Sequence, residues 1–418
     1  MLKDLFELRR QQADLRLSAS ALEALTDRRL RALVRHCYDR VPYYRSLLNA
    51  AGVDPDQIHS VSDLERIPVS TKQDLRQAGE ASLISRGVDL DQSWHDLTSG
   101  STGEPFKVYF SRDEVRRRRM VQLRSVLAVG MKPWDRLAVL GPVRWWKPGL
   151  LHRLGIFQRV NIPPLISIAE QIDRIRAFRP SILWAYPGSL HALLDRIDGR
   201  LDEICQPRML ITSAETPDRL LRLEGNALPA PRFNFYGSLE AGRIAWECPA
   251  HEGLHVNVDQ VWLEIRPVQA ATSEPGLGEV IVTALNSRAM PFLRYRLGDL
   301  SRWLGRSCSC GSALPLIEAP RGRLYSPIQL PSGATRSTLE FMFILRRLPW
   351  VIRYRAIQET REHLIVSVVT GGGPTQEDFE QLRSELQAYL EEPMQVEIRR
   401  VSAIDDGDHK FETFISHL

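Results

Sequence analysis

The stretch Leu97-Thr98-Ser99-Gly100-Ser101-Thr102-Gly103-Glu104-Pro105 is made almost entirely of small and hydroxylated residues. A loop of this kind can turn backbone N–H groups and hydroxyls toward one point, an arrangement that suits phosphate oxygens. It is not a Walker loop, which needs Gly-Lys-Ser/Thr running into a helix. Here Gly103 is followed by Glu104, and the alternation Phe106, Val108, Phe110 against Lys107 and Tyr109 predicts a strand, with another before the loop. Taken alone, the same residues also suit a solvated turn.

Four further groups downstream have chemical potential. Asn234-Phe235-Tyr236-Gly237-Ser238-Leu239-Glu240 places an aromatic and an acid at the end of a short strand, Arg232 to Tyr236. Open α/β sheets bind ligands beyond the carboxyl ends of their strands. Tyr236 there can stack on a purine, and Glu240 can hold Mg²⁺ through oxygen. In Tyr295-Arg296-Leu297-Gly298-Asp299, the carboxylate follows a strand and a glycine, where it can accept both ribose hydroxyls. Arg323, after Gly322, can reach ribose and phosphate. Lys410 lies in Gly407-Asp408-His409-Lys410-Phe411, near the end of the sequence. Each group has a bland reading of its own: a turn, or a solvated charge.

The five cysteines are Cys37, Cys205, Cys248, Cys308 and Cys310. An odd number in a long chain argues against a disulfide framework. Cys308-Ser309-Cys310 and Cys248, with His251 or His255, supply three thiols and an imidazole, the donor set of a closed tetrahedral Zn²⁺ site. Reduced, partly buried thiols are the alternative. Arg116-Arg117-Arg118-Arg119 lies in an expected helix, where successive residues point around the axis. It reads as a solvated face, with electrostatic attraction of phosphate-bearing ligands as the minor reading. Trp145 and Trp146, in a loop flanked by Gly and Pro, suit either core or a pocket lining.

The elements that must hold these groups follow from periodicity. The first ~95 residues read as helical, with Leu30, Leu33, Val34, Cys37 and Tyr38 on one face and Pro42 ending that helix. From about residue 165 the pattern alternates: a helix through Ile168, Ile172 and Ile175, a strand over Ser181 to Tyr186, a helix through Leu190 to Ile197, and a strand over Met209 to Thr212. That order predicts parallel strands with crossover helices. Residues 255–305 are strand-rich, at Val261 to Ile265, Glu279 to Ala284 and Phe292 to Arg296. The tail reads as α+β: a helix near 337–347, strands near 351–358 and 363–369, a helix near 375–391 and a strand near 395–401. The boundary is placed at Gly322-Arg323.

The chain of 418 residues is 43% hydrophobic and 25% charged, with net charge +4. These values suit a soluble globular protein of more than one domain and do not call for nucleic acid. No run is long enough to span a membrane, and the N-terminus is unlike a signal peptide, so the expected location is cytoplasmic.

The order of these groups resembles the adenylate-forming enzymes: acyl-CoA synthetases, nonribosomal adenylation domains and luciferases. Within that group the chain is similar to the phenylacetate–CoA ligase family. Val41-Pro42-Tyr43-Tyr44-Arg45, Ser213-Ala214-Glu215 and the Cys-x-Cys-Gly segment before Gly322 point to that branch. The resemblance covers essentially the whole chain. It implies a large N-terminal α/β domain, residues 1–322, with a helical N-terminal segment and a strand-rich part. A small mobile α+β domain, residues 323–418, would carry Lys410. By the same resemblance, Ser99, Gly100, Ser101, Thr102 and Gly103 bind phosphate. Ala214, Glu215, Tyr236 and Gly237 surround adenine and acyl group, and Ser213, Tyr236, Trp145 and Trp146 line the acid pocket. Glu240 takes Mg²⁺, Asp299 and Arg323 take ribose, Lys410 is the adenylation lysine, and His255 is the better match for the metal histidine.

The implied reaction activates a carboxylic acid, aryl or arylacetic by family expectation, with ATP to give acyl-AMP, then passes it to CoA. The alternatives are another acyl acceptor such as an amine, alcohol or carrier protein, retention of the AMP group, or a nucleotide-binding regulatory protein without turnover. A homodimer is allowed. Two positions depart from the family: Leu239 stands where a Thr or Ser is usual, and Leu324-Tyr325-Ser326 where a hinge has an Asp pair.

Overall fold

The computed structural model describes residues 2–98, 106–141, 150–163, 166–197, 199–213, 230–268, 275–322, 328–336, 338–404 and 413–418. The chain opens with helices α1 (Leu2–Asp14), α2 (Ala19–Arg40), α3 (Pro42–Ala50), α4 (Lys72–Ala78) and α5 (Glu80–Leu83). The apolar face read from the sequence of α2 is buried, with Leu30, Leu33, Val34 and Cys37 inside. Pro42 ends α2 and also opens α3 at its first turn, where the missing N–H has no helical partner to lose.

Strands β1 (Trp94–Thr98) and β2 (Phe106–Phe110) pair antiparallel, with Thr98 opposite Phe106. The two ends of the Ser/Thr/Gly loop therefore lie side by side, while residues 99–105 fall outside the described residues. Helix α6 (Arg112–Ala128) follows. Its start is fixed by a reciprocal cap: Ser111 N–H donates to Glu114 at 2.7 Å, and Glu114 N–H donates to the Ser111 hydroxyl at 3.3 Å.

Next come β3 (Arg136–Leu140), α7 (Leu150–Arg153), β4 (Gln158–Ile162), α8 (Ile168–Phe178), β5 (Ile182–Ala185), α9 (Pro187–Arg196), β6 (Met209–Ser213), β7 (Arg232–Ser238), β8 (Gly242–Glu247), β9 (Leu254–Val256), β10 (Val261–Pro267), β11 (Gly278–Ala284), β12 (Tyr295–Ser301) and β13 (Leu316–Ile317). An eight-stranded sheet has the order β13-β9-β8-β7-β6-β5-β3-β4. Strands β4, β3, β5, β6 and β7 run parallel, as the alternating pattern predicts. Strands β8, β9 and β13 continue the sheet antiparallel. Every residue of β5 and β6 is buried, as strands covered on both faces must be. Ile182, Trp184, Ile211 and Phe235 face the main core with Phe110. Leu183, Ala185 and Leu210 face Ile172, Ile175, Leu190 and Leu193 of α8 and α9.

Strands β10, β11 and β12 form an antiparallel sheet of their own. Here the structure corrects the sequence reading. The strand expected at Phe292 to Arg296 begins at Tyr295 and runs to Ser301, so Asp299 lies within it rather than after it. Ile281 faces Arg296 while Glu279 faces Leu300, which makes Leu297–Asp299 a bulge. Gly298 has φ +77°, a conformation open to glycine at little steric cost.

The tail matches the α+β expectation. It holds β14 (Ile328–Gln329), β15 (Thr335–Arg336), α10 (Thr338–Arg346), β16 (Val351–Gln358), β17 (His363–Thr370), α11 (Gln376–Leu390), β18 (Gln395–Arg400) and β19 (Phe414–Ser416). Its four-stranded sheet has the order β18-β17-β16-β19, and its core is drawn wholly from residues Ile328 to Phe414.

One buried ion pair ties the large sheet to the N-terminal helices. Arg124 of α6 donates to both carboxylate oxygens of Asp259 at 2.7 Å, to Gln11 of α1 at 3.0 Å, and to the Asn257 side chain at 2.8 Å. Burial alone would raise the Asp259 carboxyl, but Arg124 and Arg29 outweigh it and hold it below the usual carboxylate range.

Candidate active site

The carboxyl ends of the parallel strands gather several of the expected residues. Ser213 ends β6, and its hydroxyl accepts from the Trp184 indole of β5 at 2.8 Å. Tyr236 lies on β7, next to Phe235, which is paired with Ser213. The Tyr236 hydroxyl donates to Asp299 at 2.7 Å. Two motifs far apart in sequence thus share one hydrogen bond, and the bulge in β12 presents the carboxylate that receives it.

Gly237 and Glu240 belong to the β7–β8 hairpin. A Cβ at Gly237 would sit 2.5 Å from the Gly242 carbonyl oxygen, so only glycine lets the two backbones come this close. Across the turn, Ala241 N–H donates to the Ser238 hydroxyl at 3.0 Å. Leu239 packs its side chain against the main core, and Glu240 is buried. Among the described residues, none donates a hydrogen bond to the Glu240 carboxylate.

Arg118 is what steadies this turn. Its guanidinium donates to the Leu239 carbonyl and to the Glu240 carbonyl, each at 2.6 Å, and stacks 4.3 Å from the ring centre of Phe110 on β2. Burial pulls its pKa down to about 10, against the opposing charges of Glu114 and Glu240. This corrects the reading of Arg116–Arg119 as a solvated face. Arg116 pairs with Asp4 and Asp113 and Arg117 approaches Glu7, but Arg118 turns inward. Nothing in the local sequence marks which of four successive arginines does so.

At the far end of β8, the Cys248, Cys308 and Cys310 thiols and the His255 imidazole converge, with their ligand atoms all within 4.8 Å of one another. Cys248 and Cys308 sulfurs are 3.5 Å apart, and Cys310 Sγ is 3.3 Å from His255 Nε2. His255 Nδ1 faces the Leu314 carbonyl at 3.3 Å, which aims Nε2 at the thiols. His251 is elsewhere: it is exposed, lies 3.0 Å from Glu247, and stacks on Phe233. Burial and the neighbouring thiols push Cys308 up to about 12.

Of the remaining expected residues, Ser99, Gly100, Ser101, Thr102, Gly103, Trp145, Trp146, Ala214, Glu215, Arg323 and Lys410 lie outside the described residues. No helix among the described residues is long and apolar enough to cross a membrane.

This combination of sheets with a separately cored tail is the architecture of the adenylate-forming acid–CoA ligases. The fold is shared with 2-hydroxyisobutyryl-CoA ligase, solved in its postadenylation state with its acyl adenylate, at TM-score 0.73 and 19% identity over 96% of this chain and 90% of that one. In sequence, the chain is 30% identical over 308 residues to the phenylacetate–coenzyme A ligase of Thermus thermophilus, covering 71% of this chain and 68% of that protein. It is 29% identical over 303 residues to the Escherichia coli enzyme of the same name, covering 69% and 68%. No family model matches. The chain belongs to the phenylacetate–CoA ligase family.

Proposed function

We propose that the protein activates a carboxylic acid with ATP and passes the acyl group to CoA. An acid oxygen attacks the α-phosphorus, the bond to pyrophosphate breaks, and acyl-AMP remains. The CoA thiol then displaces AMP. The Tyr236–Asp299 hydrogen bond carries this reading, because it unites two nucleotide motifs at the sheet edge where ligands of such folds bind. The relatives named phenylacetate–CoA ligase support an aryl or arylacetic acid.

In this reading Ser99–Gly103 hold the leaving phosphates, and Asp299 and Arg323 take the ribose. Ala214, Glu215, Tyr236 and Gly237 surround adenine and acyl group, and Ser213, Trp145 and Trp146 line the acid pocket. Lys410 supplies charge to the transition state. Glu240 would hold Mg²⁺, which its buried carboxylate fits, since no described residue donates to it. When bound, the ion offsets phosphate charge.

The four-residue thiol and imidazole cluster would hold a structural Zn²⁺. A tetrahedral site with Zn–S of ~2.3 Å sets sulfurs about 3.8 Å apart, close to the 3.5 Å between Cys248 and Cys308. The division into residues 1–322 and 323–418 belongs to this proposal and is supported by the separate core of the tail.

The test is a panel of acids scored by pyrophosphate release, with and without CoA. Release with an aryl acid, and a thioester when CoA is added, is expected. Release without any CoA-dependent product would move the acceptor to another nucleophile, the alternative that Leu324-Tyr325-Ser326 at the hinge keeps open. Lys410→Ala should lower release by ~10²-fold or more, and wild-type rates in that variant would remove the role given to the lysine.

A further inference from the structure

Arg243, the second residue of β8, lies directly opposite Gly237. Its long side chain runs over the sheet. Its guanidinium carbon lies 4.8 Å from the ring centre of Phe235 and 5.2 Å from that of Trp184. Trp184 is the residue whose indole donates to Ser213, and Phe235 precedes Tyr236. Arg243 therefore reaches the same edge of the sheet as the proposed acid pocket.

Unlike Arg118, Arg124 or Arg294, whose guanidinium groups donate to carbonyls or carboxylates, Arg243 has no hydrogen-bond or ion-pair partner for its guanidinium among the described residues. Its Nε is buried without an acceptor. Burial draws its pKa down to about 9, with no carboxylate offsetting the loss of water. Two ring faces attract the cation electrostatically. They satisfy none of its N–H donors, and a buried donor such as this Nε left without an acceptor is costly. A ligand that brought an anion to those donors would relieve that cost.

We infer that Arg243 is a specificity-determining residue that receives a second carboxylate of the acid substrate, so that the preferred acids are dicarboxylic. This rests on the acid-activating reading above and names its substrate class. The forked donors of a guanidinium match a carboxylate in two parallel hydrogen bonds. A site built this way rejects analogues that lack the partner more strongly than an apolar pocket rejects a change of size.

The experiment uses the full chain and matched acid pairs: phenylacetate with meta-carboxyphenylacetate, benzoate with isophthalate, and pentanoate with glutarate. Pyrophosphate release gives kcat/KM for each. Wild type is expected to favour the dicarboxylic member of at least one pair by ~10²-fold. Arg243→Met should reverse that order, and Arg243→Lys should retain it in weaker form. Arg243→Gln keeps length and polarity, so the ratio stays measurable if the Met variant folds poorly. Preference for the monocarboxylic members by wild type, with ratios unchanged in the variants, would overturn the inference and leave acid activation standing. Equal loss of both members in folded variants would also overturn it, since Arg243 would then serve the carboxylate common to both. No release by wild type with any acid would instead overturn the acid-activating reading and the role of Arg243 with it.

Discussion

The two ends of β8 are held by opposite means. At its start, the Glu240 turn is fixed by a charged group, Arg118, donating to two backbone carbonyls. Just past its end, Cys248 joins two other thiols and an imidazole whose positions make sense as neutral or metal-bound donors. The strand between them has six residues, roughly 20 Å at ~3.3 Å each. The first end ties the turn to β2 through Phe110, and so to the hairpin whose strands flank the Ser/Thr/Gly sequence. The second ties β9 to the loop before β13. The start of the strand is held by hydrogen bonds between described residues. In the proposed reading, the donors past its end would share one metal ion.

That contrast predicts where each end breaks. The largest effect is expected from losing the thiol cluster. Chelation, or Cys308→Ser, should cost several kcal/mol and lower the melting midpoint by on the order of 10 °C, while pyrophosphate release well below the midpoint changes little. Calorimetry with and without chelator decides it: identical melts would remove the metal from the picture.

A somewhat smaller effect belongs to the Arg124–Asp259 pair. Breaking a buried pair from one side costs about 3–5 kcal/mol, so Asp259→Ala should show that loss in denaturant titrations. The folded Asp259 carboxyl lies below its unfolded value of ~3.9. Its contribution is therefore complete above that unfolded value and disappears as pH falls through the lower, folded one. In Asp259→Asn, acid titration of stability should lose this component.

Arg118→Met leaves two carbonyls without charged donors, at about 1.5–3 kcal/mol for each bond removed when both are counted against water. Turnover is expected to fall by ~10²-fold as the Glu240 turn loosens, with partial return in Arg118→Lys. A Met variant with normal pyrophosphate release would show that the turn holds itself. The smallest effect is expected from Leu239→Thr. The hydroxyl arrives where Arg118 has already fixed the backbone, so release should stay within about threefold, with a loss near 1 kcal/mol from the apolar contacts given up.

The helices and the parallel strands were legible because caps and periodicity are local. Ser111 and Glu114 mark the start of α6, and the unbroken apolar runs of β5 and β6 mark buried strands. Tyr236 and Glu240 were legible as residue types near the end of β7, whereas Asp299 was expected after a strand and lies inside one. Their hydrogen bonding was not legible, since it depends on a bulge in a strand that pairs with another sheet. Arg118 and Arg243 were hidden for a related reason: an arginine looks alike in sequence whether it faces water, a carbonyl or an aromatic ring. His255 was already the better match by resemblance, and β9 places its imidazole inward while His251 lies against Glu247. Short strands such as β13 and β19 have too few residues to show a period.

The contact at Gly237 also has an evolutionary consequence. Its neighbour at 239 can exchange a hydroxyl for an isobutyl group, because the turn is held through main-chain atoms that every residue shares. Position 237 has no such latitude, since any larger residue meets the Gly242 oxygen directly. Variation in this hairpin is therefore channelled to the outward positions and to residue 243, which is where a lineage could retune the acid it accepts without rebuilding the nucleotide edge.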